Sequence, residues 1–311
     1  MKLKNIIAAI FSGTAAIAAA GSWFAYRYVF YSANCEQDIY AIPKGEQYQK
    51  NHSKMTSLIR EMDKIPFEPV EIISFDGLKL RGRYYHVQDG APVQIQCYGY
   101  HGNGLRDFCG GNKIAREMGQ NTLVIDQRAH GKSEGHTITF GIKERFDCLS
   151  WVEYVCERFG EEVPIYLAGV SMGAATVLMT SELDLPNNVK AILADCPYSS
   201  PKAIIQKVCK DMKLPPKLVY PFVQLGAFLF GHFRLSDSSP AEAVKHAKIP
   251  ILLIHGDADH FVPCDMSREI FEACASEKQM VTIPDAGHAI SYIVDSEQYE
   301  QAVKTFLEKI S

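Results

Sequence analysis

The chain has 311 residues, 47% of them hydrophobic, and 32 basic against 36 acidic side chains give a net charge of −4. That content suits a globular protein with a real core, and the well-mixed charges leave no basic surface for a phosphate backbone, which argues against nucleic acid as a partner. Nine cysteines without a C-x-x-C pair argue against a zinc knuckle or thioredoxin-like motif, and they read as mostly buried, reduced thiols.

Residues 1–31 form the first unit. Asn5 to Tyr26 carries no charge and is rich in Ala, Ile, Phe and Trp. As a helix it would extend about 33 Å, enough for one crossing of a ~30 Å hydrocarbon core. Lys2 and Lys4 precede it, and Trp23, Tyr26, Tyr28 and Tyr31 near its far end suit an interfacial belt. The expectation is a single N-terminal membrane anchor, with the side of the membrane open. The competing reading is a signal peptide cleaved after Ala18-Ala19-Ala20, which would leave a secreted protein. Residues 32–65 are polar and irregularly charged and read as a stalk or outer helix.

From Val70 the pattern changes. Val70 to Phe75 and Leu78 to Tyr85 flank Asp76-Gly77, a hairpin signal. Strand-like apolar runs follow at Val93 to Tyr98, Thr122 to Ile125, Pro164 to Leu167, Val189 to Ala194, Ile249 to Ile254 and Met280 to Ile283. Helical spacing separates them, as in Ile142 to Phe159 through Phe146, Leu149, Val152 and Val155, and again from Ser296 to Ile310. Alternating strands and helices predict an α/β domain over 66–311 with a mostly parallel sheet flanked by helices. About fifty residues separate the strand ending near Asp195 from that starting near Ile249, too many for a simple crossover. They predict a small helical insertion at 197–245. Its apolar middle, Leu218 to Phe230, is either a lid over a hydrophobic pocket or a helix packed on the core.

The chemistry centres on Gly169-Val170-Ser171-Met172-Gly173, placed after an apolar strand and before the helical run Ala174 to Met179. A nucleophile projecting from a tight strand-to-helix turn needs such small neighbours. A serine hydroxyl also needs a base, and the base needs a group that fixes its tautomer. His288, in Ala286-Gly287-His288, and Asp259, beyond the Ile249 to Ile254 strand, both lie at carboxyl ends of strands, where open α/β sheets place their sites. Asp195 is a lower-ranked alternative acid, and Asp257 reads as a turn residue. The cluster His255, Asp257, Asp259, His260 resembles a metal-ligand set, but Asp257 stands where a histidine ligand is expected. His101 and His130 read as turn residues, and Asp126 with Arg128 as a structural ion pair.

These motifs resemble the α/β-hydrolase superfamily, in its esterase-like and serine-aminopeptidase-like branch, over about Val70 to Ile310. The chain order Ser171, Asp259, His288 is that of the family, His101-Gly102-Asn103 resembles its oxyanion loop, and Asp126 to Ser133 its D-x-R-x-x-G-x-S turn. The resemblance implies an oxyanion hole from the backbone N–H groups of Met172 and Asn103. It also implies a serine hydrolase acting on an acyl bond, most simply a carboxylic ester, with a small-molecule acyl substrate and no metal or organic cofactor. An acyltransferase or peptidase on the same triad, and a membrane-tethered binding protein without turnover, are the rival readings. Oligomeric state is not legible.

Overall fold

The computed structural model describes residues 18–33 and 38–310. The apolar runs form β1 (Glu68–Ile73), β2 (Lys79–Tyr85), β3 (Val93–Cys97), β4 (Asn121–Asp126), β5 (Ile165–Val170), β6 (Val189–Asp195), β7 (Ile251–Gly256) and β8 (Lys278–Ile283). They make one sheet in the order β1-β2-β4-β3-β5-β6-β7-β8. β1 pairs with β2 and β2 with β4 in antiparallel fashion, and the remaining pairs are parallel. Every residue of β3, β5 and β7 is buried, the signature of strands covered on both faces. The β1–β2 turn is longer than a two-residue hairpin loop. The Ser74 N–H donates to the Leu78 carbonyl at 2.8 Å, and Gly77 takes φ 90° between them.

Residues 18–29 form the described part of α1, followed by α2 (Glu46–Lys50), α3 (His52–Asp63), α4 (Gly104–Glu117), α5 (Glu144–Phe159) and α6 (Met172–Thr180). The insertion supplies α7 (Pro201–Asp211), α8 (Pro216–Gly231) and α9 (Pro240–Ala243). α10 (Asp265–Ala273), α11 (Ser291–Val294) and α12 (Ser296–Ile310) complete the chain. Trp151, Val152 and Val155 of α5 join Val177 and Leu178 of α6 and Ile270 of α10 on one face of the sheet. On the other face, Ile59 and Met62 of α3 pack with Phe108 and Ile114 of α4 and Phe306 of α12. Residues 46–63 are thus an outer helical pair seated on the domain rather than a free stalk, because α3 carries a buried apolar stripe through Met55, Leu58, Ile59 and Met62.

A third apolar cluster lies under the insertion, where Tyr220, Val223 and Ala227 of α8 meet Met172, Tyr198 and Ile204. α1 belongs to this cluster. Of the expected membrane segment Asn5 to Tyr26, residues 5–17 lie outside the described residues, and the rest is packed against the insertion. Ser22 is buried, a Cβ at Gly226 of α8 would sit 2.5 Å from the Ser22 carbonyl oxygen, and the Tyr26 hydroxyl lies 2.7 Å from Thr137 Oγ1. Phe30 is wholly buried between Phe140 and Phe233, with ring centroids at 5.7 and 5.3 Å. Among the described residues no helix is long and apolar enough to cross a membrane. Residues 18–26 of the expected anchor are thus covered in part by protein, since an apolar run can pack on a protein surface as well as in lipid.

One smaller expectation also changes. Arg128 does not pair with Asp126. It forms a bidentate pair with Asp147, at 2.6 Å from both Nε and Nη2, and reaches Asp76 at 2.9 Å. Asp126 instead accepts from the Tyr98 hydroxyl at 2.8 Å and the Lys132 N–H at 2.9 Å, closing the turn. The eight described cysteines are free thiols, seven of them buried.

Candidate active site

β5 ends at Val170 and α6 begins at Met172, so Ser171 alone makes the turn, at φ 55° and ψ −116°. This left-handed backbone is costly for a residue with a side chain, on the order of 1–3 kcal/mol. The turn is held by the Ser171 N–H donating to the Asp195 carbonyl at 2.8 Å. Both flanking glycines are required by space. A Cβ at Gly169 would overlap the Gly173 carbonyl, and one at Gly173 would overlap the backbone of Cys97 at the end of β3.

Ser171 Oγ lies 2.9 Å from His288 Nε2, and His288 Nδ1 lies 2.7 Å from Asp259 Oδ2. The second carboxylate oxygen of Asp259 accepts from the Phe261 and Val262 N–H groups at 2.9 and 2.8 Å. His255 Nε2 lies 3.3 Å from Asp259 Oδ2. Burial raises the Asp259 carboxyl, but the hydrogen bonds from His255, His288 and the Val262 N–H outweigh it and hold the group well below the usual carboxylate range. An ionised carboxylate at Nδ1 keeps the imidazole proton there and leaves Nε2 free to accept from the serine. Phe261 stacks edge-on against the His288 ring at 5.0 Å.

The other acidic candidates fall elsewhere. Asp195 sits at the end of β6, buried, with Ser291 Oγ donating to it at 3.4 Å. Burial pushes its carboxyl up to about 6. Asp257 is exposed and accepts from the Asp285 N–H at 2.8 Å. The four residues that resemble a metal set do not converge. His255 is buried with its ring nitrogens on Ser267 Oγ and the Val262 carbonyl, while His260 is exposed. Among the described residues, the group with metal-ligand spacing is Cys196, Asp259 and His288, two of which already form the hydrogen-bonded chain to Ser171.

Met172 follows the serine and lines the same cavity, but Asn103 is not brought to it. His101, at φ 48°, and the Gly102 N–H to Gly99 carbonyl bond at 2.9 Å turn the chain away after Tyr100. Asn103 then caps α4, its Oδ1 accepting from the Arg106 N–H at 2.8 Å. It lines a separate cavity of about 520 Å³ with Gly102 and Gly104. The loop residues beside Ser171 are Gly99 and Tyr100: a Cβ at Gly99 would lie 3.4 Å from that of Ser171. The signal was present as Tyr98-Gly99-Tyr100, directly after β3, and lost to the adjacent His101-Gly102-Asn103.

The cavity over Ser171 has a volume of about 690 Å³. Its walls are mainly apolar. Ile204, Ile205 and Val208 come from α7, Val219 and Val223 from α8, and Ala25, Tyr28 and Val29 from α1. Phe222 and Phe228 do not line it. The insertion is therefore both lid and packed helix, its inner face closing the cavity and joining the core. α2 closes the site from the other side: the Tyr48 hydroxyl donates to the His288 carbonyl at 2.9 Å, and the Gln47 amide occupies the space where a Gly287 side chain would be.

Comparison with known proteins agrees with this architecture. The model of the family described as alpha/beta hydrolase fold matches residues 95–229. The uncharacterized protein YqkD of Bacillus subtilis (strain 168) is 24% identical over 310 residues, spanning 99% of both chains. The lysophosphatidylserine lipase ABHD12 of Danio rerio is 24% identical over 58% of this chain and 45% of its own. Among solved structures, the Pyrococcus furiosus esterase Pf2001 superposes with a TM-score of 0.66 at 25% identity, covering 81% of this chain and 93% of its own. Est1E of Butyrivibrio proteoclasticus with bound ferulic acid gives 0.57 at 23% identity over 78% and 98%, a likeness of fold alone. The chain has the α/β-hydrolase fold, these likenesses support a member of the α/β-hydrolase superfamily, and an esterase and a lipase stand among the similar proteins.

Proposed function

We propose that the protein is a serine hydrolase that cleaves a carboxylic ester of an apolar acid. The observation carrying this reading is the unbroken hydrogen-bonded chain from Ser171 through His288 to Asp259, opening into an apolar cavity. In the proposed mechanism His288 Nε2 takes the Ser171 proton as Oγ attacks the substrate carbonyl. The imidazolium, stabilised by Asp259, then protonates the departing alkoxide. Water, activated by the same imidazole, attacks the acyl-enzyme and releases the acid.

The tetrahedral intermediate needs two fixed donors near its oxygen. Met172 N–H at the start of α6 supplies one. Tyr100 N–H, beside Ser171 and without a hydrogen-bond partner among the described residues, replaces Asn103 as the other. An esterase among the similar structures and a lipase among the similar sequences support ester over amide cleavage. Labelling the full chain with a fluorophosphonate, and turnover of nitrophenyl acyl esters, test the reading. Absence of labelling at Ser171 overturns it.

A further inference from the structure

α1 and α8 pack on each other through small residues: Gly21 lies against the Phe222 ring and Gly226 against the backbone of Ser22 and Tyr26. Their outward sides therefore form one continuous surface, and that surface is apolar. Of the fifteen large hydrophobic residues exposed among the described residues, nine lie on α1, on α8 or in the turn before α8. Trp23, Phe24 and Tyr28 of α1 are 45, 66 and 71% exposed, and Leu218 of α8 is 69% exposed, with Phe222, Phe228 and Leu229 beside it. Residues 18–33 and 212–233 contain no acidic side chain but carry Arg27, Lys213 and Lys217. Such a patch, with Asp211 at its edge paired to Lys207, is far from an ordinary solvated face.

The cavity opens beside this surface. Tyr28, Met212 and Leu214 line the cavity and are also exposed, so they form its rim. The chain leading into α1 decides the occupant. Asn5 to Ile17 is uncharged, with Asn, Ser and Thr as its polar side chains. Folded over the patch, it would only move the apolar surface outward, whereas hydrocarbon covers both the segment and the patch.

We propose that the joined outer face of α1 and α8 docks on a lipid bilayer, and that the acyl substrate enters the Ser171 cavity directly from it. The entry step rests on the serine-hydrolase reading, and the docking step does not. Arg27, Lys213 and Lys217 meet the headgroups while the aromatic side chains reach the acyl boundary.

The chain itself supplies a probe, because its two tryptophans are the exposed Trp23 and the wholly buried Trp151. The full chain with Ser171→Ala is mixed with phosphatidylcholine vesicles whose acyl chains are brominated. A second protein adds Trp23→Phe and Leu229→Trp, moving the probe to α8. Docking by the whole face predicts that both probes lose half or more of their accessible emission and shift to the blue. Quenching at position 23 alone means that only the N-terminal end enters lipid, which overturns the proposal. So does protection of position 229 by self-association in sedimentation without vesicles.

In the active protein, Phe24→Glu with Leu229→Glu should leave hydrolysis of a water-soluble acetyl ester within about twofold. Hydrolysis of a long-chain ester held in vesicles should fall at least about tenfold. Equal losses on both substrates overturn substrate entry from the bilayer. Quenching at both probes with no hydrolysis of any ester leaves docking established and removes the hydrolase reading instead.

Discussion

Tyr48 and His288, 240 residues apart, are joined by a 2.9 Å hydrogen bond from the tyrosine hydroxyl to the histidine carbonyl. The loop bearing His288 is thus held from outside the sheet. Tyr48→Phe removes this bond, worth about 0.5–1.5 kcal/mol, while keeping the ring that lines the Ser171 cavity. The expected outcome is a roughly three- to tenfold fall in kcat with KM little changed and a small loss of thermal stability. An unchanged kcat would show that the loop is fixed by its own contacts.

Ser171→Ala should abolish fluorophosphonate labelling and lower ester turnover by at least ~10³-fold. Its melting temperature should not fall, because alanine occupies the same strained turn without a hydroxyl to satisfy. Residual turnover near the wild-type level would remove the nucleophile assignment.

The three acids near the site should separate cleanly. Asp259→Asn presents an amide to His288 Nδ1 and favours the wrong tautomer, an effect of ~10⁴ in the best-studied triad. Asp257→Asn keeps an acceptor for the Asp285 N–H and should stay within about threefold of wild type. A reversed ranking in kcat would mean that the Asp259–His288 contact is not the one used in catalysis.

Asp195 carries a pH signature. Its folded-state carboxyl is raised by burial to about 6, above its ordinary value, so the protonated form is the one the fold prefers. That stability is fully present below the ordinary carboxylate range and is lost as pH rises through about 6. Asp195→Asn stays neutral throughout. Between pH 4 and 7, its stability relative to wild type should therefore rise by roughly 2–4 kcal/mol in denaturant titrations. Parallel curves for the two proteins would mean that Asp195 folds as a carboxylate.

The insertion offers a specificity test. Val219 lines the cavity and Phe222 does not. Val219→Phe should lower kcat/KM for long-chain esters at least about tenfold while acetyl esters change by about twofold or less, since only long chains reach it. Phe222→Ala should leave the long-to-short ratio constant. Equal effects on both chain lengths would place the acyl group elsewhere in the cavity.

Much of the architecture was legible because a parallel sheet buries its strands on both faces, so Ile165 to Ala168 and Ile251 to Ile254 appear as unbroken apolar runs. Ser171, Asp259 and His288 were legible for a related reason: each follows a strand, where the sheet geometry sends side chains to one edge. Local sequence fails where two motifs compete within six residues, as Tyr98-Gly99-Tyr100 does with His101-Gly102-Asn103. The backbone turn at His101 decides between them, and nothing in the side chains announces it. Tyr48 could not be found at all. Its partner is a carbonyl, which every residue carries, at a separation of 240 positions.

The N-terminal helices also set an order of events during synthesis. Phe30 closes against Phe233, Ser22 against Gly226, Tyr48 against His288 and the Lys54 ammonium against the Ile293 carbonyl. Each of these segments leaves the ribosome some 200 to 240 residues before the partner named for it. At about 5–20 residues per second, they wait roughly 10–50 s. Through that interval α1 shows its apolar side chains to whatever is near, before any lid exists to receive them. An apolar segment left without its partners for that long needs either a chaperone or a membrane in the meantime.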